Sequence, residues 1–181
     1  DMLSGDMALT AYTYGWWYND EAGQTAAGRT SYVWNFYYGM LRNINKVINA
    51  VNQQSDIINR IAANGLPNVY NEKAETYYTI DGTDTLATYT LQEAEIAGYY
   101  AQALTMRGYC YSNLIKLYAP TNSQLRGAWE DEVVCPVYNE NNLEDAQPVA
   151  TLKVAYGQVE SDLTLAISYF DALESTNTRS S

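Results

Sequence analysis

The run from Thr90 to Tyr118, TLQEAEIAGYYAQALTMRGYCYSNLIKLY, restricts the fold of this chain most. Thr90 and Glu93 have the spacing of a capping box, in which each side chain satisfies the other's backbone N–H. Leu91, Ala94, Ala97, Ala101, Leu104, Gly108, Tyr111, Ile115 and Tyr118 then recur at helical spacing. Pro120 ends the pattern, because the residue before a proline is pushed out of the α region. The small residues at 94, 97, 101 and 108 let a neighbouring helix approach closely.

Three further segments share the helical period. In residues 30–52, Trp34, Tyr37, Leu41, Ile44, Ile48 and Val51 form one apolar face, with Thr30 or Ser31 as the N-cap. Asn43, Asn45, Asn49 and Asn52 mostly fall off that face. Four Asn lower helix propensity, so tertiary packing must support the helix. Ser55 opens a shorter helix, SDIINRIAANG, with Gly65 at the C′ position and Pro67 blocking continuation. Residues 30–65 therefore read as an antiparallel helical hairpin. Thr151 caps the last helix, in which Leu152, Tyr156, Val159, Leu163, Ile167 and Phe170 supply the apolar side through 173.

Between these helices the chain reads as irregular. Residues 1–29 are loop-rich and punctuated by glycine. Residues 66–89 read as a loop with an Asp81-Gly82 turn and room for one short strand at Tyr77–Ile80. Residues 119–150 read as a long connector rich in Asn, Glu, Asp and Pro. No strand pattern repeats at regular spacing. The expectation is an all-α single domain of helical pairs with long loops.

Composition narrows the chemistry. The 181 residues carry a net charge of −11 with only 10 Lys and Arg, too few to neutralise phosphates. Nucleic acid and anionic membrane surfaces are poor partners. Histidine is absent, which removes Ser-His-Asp and Cys-His catalysis and every His-ligated metal. Carboxylates such as Glu93, Glu95, Asp131 and Glu132 are plentiful, but nothing spaces two of them as a glycosidase pair. The acidic stretch Asn139–Asp145 lacks the spacing of a calcium loop. Cys110 and Cys135 show no CxxC spacing and are either two buried small hydrophobes or a disulfide. The expectation is a binding protein, not an enzyme, with no catalytic residues, no cofactor and no metal.

Three stretches in order resemble one family. The first is WNFYYGMLRNINKVINAV from Trp34, the second AEIAGYYAQALTMRGYCYSNLIKLYAP, and the third TLKVAYGQVESDLTLAISYF. They are similar to the N-terminal helical half of the SusD/RagB outer-membrane lipoproteins of Bacteroidetes. Two details depart from the family pattern: Gly157 follows Tyr156, and the second helix exits through APTN. The resemblance implies a tetratricopeptide-like superhelix in a longer polypeptide, lipid-anchored on the outer face of the outer membrane. It implies a SusC-like TonB-dependent transporter as partner and an oligosaccharide ligand. The alternatives are a peptide-binding member of the family or a helical scaffold for protein interactions.

The candidate binding residues follow from the aromatic surplus, 18 Tyr and 4 Trp against 2 Phe. Tyr and Trp keep a polar handle on each ring, which suits half-buried ligand contacts. In YTYGWWYND, Trp16 and Trp17 offer flat faces for a sugar, and Asn19, Asp20 and Arg29 offer hydrogen bonds. The rival reading of these indoles is a staple over the helical core. Tyr77 and Tyr78 are a second aromatic pair, and Trp129 stands among charges in RGAWEDE. Trp34 reads as core. Arg107 and Asp162 read as structural, with Arg107 paired to a carboxylate between helices.

Overall fold

The computed structural model describes residues 28–54, 56–120 and 128–177. Among them the order is α1 (Gly28–Gln54), α2 (Ile57–Asn64), β1 (Val69–Asn71), β2 (Thr76–Asp81), β3 (Asp84–Thr90) and α3 (Leu91–Tyr118). A 3-10 turn (Trp129–Asp131), β4 (Val133–Pro136), β5 (Val149–Thr151) and α4 (Leu152–Asn177) follow. The chain divides into two compact units, with the division between Met40 and Leu41 inside α1. In the first, Trp34 is half-buried rather than core, and its ring centre lies 4.7 Å from that of Tyr38.

The helices α3 and α4 start where their capping places them, whereas α1 already begins at Gly28, ahead of the expected Thr30 or Ser31 cap, and Asp56 rather than Ser55 stands at the N-cap of α2. The Thr90 side chain accepts from the Glu93 N–H at 3.2 Å, and Glu93 accepts from the Thr90 N–H at 2.8 Å. The Thr151 hydroxyl accepts from the Val154 N–H at 3.4 Å at the start of α4. Gly65 ends α2 at φ +88°, a conformation that penalises a Cβ, and its N–H bonds the Ile61 carbonyl at 2.8 Å.

The all-α expectation does not hold. Residues 66–89, expected as loop, fold into an antiparallel sheet of order β1-β2-β3. The physical cause is an alternation that helical spacing obscures. Tyr77, Thr79 and Tyr89 are buried while their strand neighbours are more exposed, so one face of the sheet closes on the helices. Asp81 pairs with Asp84 across Gly82, whose φ of +60° fits the first central position of a tight hairpin. The expected connector 119–150 also contributes strands, β4 paired antiparallel with β5.

The core of the second unit joins Ile48 of α1, Ile57 and Ile61 of α2, Tyr89 of β3, Leu104 of α3 and Tyr169 of α4. Within it α3 and α4 pack closely at Gly108. A Cβ built there would lie 2.9 Å from Leu163 Cδ2, so any larger residue requires the Leu163 side chain to shift. Ala94, Ala97 and Ala101 are buried on the same helix, as their spacing predicts. Cys110 and Cys135 are both buried, and neither forms a disulfide. Burial pushes the Cys110 thiol up to about 11, so it stays protonated and inert.

The inner face of α4 is only in part the stripe that sequence periodicity selects: Leu152 is buried and Leu163 meets α3 at Gly108. Ala155, Asp162, Ala166 and Tyr169 are buried there, while Tyr156, Ile167 and Phe170 are exposed. Two demands of α3 explain the rotation. Its close approach favours alanine over bulky residues, and its Arg107 needs a carboxylate.

Candidate functional site

Two polar regions stand out in the second unit. The first is sealed inside. Arg107 donates through Nε and Nη2 to both oxygens of Asp162, at 2.8 and 2.7 Å. Its Nη1 donates to Asn45 Oδ1 at 2.8 Å and to Glu140. Gln158 Nε2 donates to Asp162 Oδ1 at 2.9 Å. The guanidinium, Asn45 and Asp162 are all buried. Burial disfavours the charged guanidinium, but the Asp162 and Glu140 carboxylates outweigh it and hold its pKa above the ordinary value.

The same network fastens the connector. Asn45 Nδ2 donates to the Tyr138 carbonyl at 3.1 Å. The Tyr111 hydroxyl donates to that carbonyl at 2.8 Å and accepts from the Tyr138 N–H at 2.7 Å. The chain at Tyr138–Glu140 is thereby tied to α1 and α3. These groups satisfy one another, with no buried side-chain N or O among the described residues left without a partner; their role is to hold α1, α3, α4 and the connector in one arrangement. Arg107 was legible as an interhelical ion pair. Asn45 was not, because an Asn beside an apolar stripe resembles any other solvated amide.

The Asn139–Asp145 stretch spends its amides on its own turns. Asn139 N–H donates to Asn142 Oδ1 at 2.7 Å, and Asn141 N–H to Asn139 Oδ1 at 3.0 Å.

The second region is on the surface. Trp129 sits in the 3-10 turn and is 47% exposed; Tyr156, on the first turns of α4, is 48% exposed. Their ring centres lie 5.9 Å apart at 79°, an edge-to-face pair. The turn is held by Asp131 N–H to the Ala128 carbonyl at 3.1 Å. It is joined to α4 by Leu152 N–H to the Glu132 carbonyl at 2.7 Å. Lys153 and Glu130 form an exposed ion pair at 3.6 Å beside the two rings. A flat indole, a phenol, an ammonium and a carboxylate thus converge on an open, fixed edge. That set offers a flat apolar face beside charged hydrogen-bonding groups.

The other sequence candidates separate. Tyr77 is 4% exposed and packs on Tyr70 at 4.6 Å, so it is core and not ligand surface. Tyr78, next along β2, is half-buried and points away from that core face. Trp16, Trp17, Asn19 and Asp20 lie outside the described residues. Arg29 lies on α1, but its side chain is outside them too. Tyr156, Lys153 and Glu130 were missed as companions of Trp129. Tyr156 fits the helical stripe of α4 and so reads as buried; only the rotation of that helix turns it outward.

Comparison with protein-family models, curated proteins and solved structures finds no match for this chain.

Proposed function

We propose that this chain is the ligand-capturing part of a surface nutrient-binding lipoprotein, resembling the SusD/RagB family in its helices. It takes an oligosaccharide and passes it to a TonB-dependent outer-membrane transporter. A lipid anchor outside this sequence holds it at the cell surface. The observation that supports the reading above the rest is the exposed Trp129–Tyr156 pair on a turn pinned to α4. A pyranose presents a face of C–H groups that stacks on the indole. Lys153 and Glu130 stand where ring hydroxyls would project. Capture is non-covalent and reversible, and a tethered protein tolerates weak affinity because its effective concentration is high.

Titration calorimetry with an oligosaccharide pool and with a peptide pool tests this reading. Heat is expected with glycans, and Trp129→Ala should raise the Kd about tenfold or more, equivalent to about 1.4 kcal/mol. Binding of peptides alone, or glycan binding that Trp129→Ala leaves unchanged, would sink it.

A further inference from the structure

We propose that the outward face of α3 joins two copies of this chain, the two helices running antiparallel about a two-fold axis. This inference stands apart from the ligand reading and uses none of its residues. The inner side of α3 is fully occupied by core, with Ala101, Leu104, Arg107 and Tyr111 buried. The opposite side is open. Tyr99, Gln102, Met106 and Tyr109 follow one another along it in steps of three and four, the seam spacing of paired helices. Tyr99, Met106 and Tyr109 are between 40% and 58% exposed. Tyr and Met are enriched at protein interfaces.

Charge selects the occupant. The chain as a whole carries −11, yet this face holds one acid, Glu95, near the start of α3 and one base, Lys116, near its end. Both are exposed, and neither forms an ion pair among the described residues of one copy. The face is therefore neutral overall but polarised along the helix. A parallel pair would set Glu95 against Glu95 and Lys116 against Lys116. An antiparallel pair reverses that and satisfies both ends. With the axis between Gln102 and Met106, Tyr99 stands opposite Tyr109 of the second copy. Gln102 then stands opposite Met106 of the second copy, and Glu95 falls within one helical turn of its Lys116. Such an interface is isologous, so each contact forms twice. A single helix face is at the small end of specific interfaces, so the dimer is expected to be weak.

Sedimentation of the 181-residue chain from about 1 to about 200 µM tests the proposal. The expected result is a monomer–dimer equilibrium. Met106→Glu should abolish it, since two carboxylates then meet near the axis. Glu95→Lys and Lys116→Glu should each weaken the dimer about tenfold by setting like charges together. The double variant carrying both reversals should regain wild-type association, because the antiparallel pairing is restored with its signs exchanged. These positions are exposed, so circular dichroism should show unchanged helix content throughout. A chain that stays monomeric assigns the face to another occupant, such as a further segment of the polypeptide, and overturns the proposal. So does a dimer that ignores the single reversals, or one that the double variant fails to restore.

Discussion

Around Arg107 and around Trp129 the chain sets tyrosines and carboxylates beside a cation, to opposite ends. In the first region no buried side-chain N or O among the described residues lacks a partner, and Asp162 meets Arg107 through two bonds. In the second, rings and charges face solvent, and the single ion pair spans 3.6 Å between exposed side chains. Burial makes the difference. A buried charge without its partner is costly, so the inner cluster is held together by necessity. An exposed pair contributes little to stability, which leaves the outer cluster free to meet a ligand.

Four measurements can break or sharpen that contrast. The largest effect belongs to Asp162→Ala, which strands a buried guanidinium. Urea denaturation should show a loss of about 3–5 kcal/mol, and a loss below about 1 kcal/mol would mean that water reaches the cluster. Alkaline pH comes next. Cys110 is pushed up to about 11 and Tyr169 to about 12, both first by burial. The folded state therefore holds these protons more tightly than the unfolded chain. Their contribution is fully present below the unfolded pKa values, near 8.5 for Cys and 10 for Tyr. It falls as pH rises through about 11 and 12, by up to about 3 kcal/mol for each group that ionises. A stability curve flat from pH 8 to about 12 would contradict that burial. Gly108→Ala crowds Leu163 where α3 packs closely on α4 and should cost about 1–3 kcal/mol. A neutral result would mean that Leu163 swings aside. Trp129→Ala should shift stability least, by no more than about 0.5 kcal/mol. A larger loss would make the indole a fastener like Arg107 and remove the contrast.

Much of the helical frame was legible in local sequence. The Thr90–Glu93 box, Gly65 at a helix end and the small residues facing another helix each have a local physical cause, and each sits where that cause places it. The sheet was less legible. Tyr77, Thr79 and Tyr89 alternate correctly, but short strands without a partner in view resemble a polar loop. The outer aromatic edge was half legible. Trp129 was conspicuous among charges, while Tyr156 was hidden by fitting a helical stripe that α4 buries only in part.

The sequence by itself determined where α3 begins and ends and where α2 stops, because caps, glycines and prolines act within a few residues of themselves. It also determined that this sequence offers no histidine for catalysis or metal binding. Tertiary structure alone decided which side of α4 faces inward, since that depends on what α3 offers across the interface: a glycine at 108 and a charge at 107. It alone decided that residues 66–89 form a sheet, because a strand is stabilised by a neighbour and a core face that the local sequence does not contain.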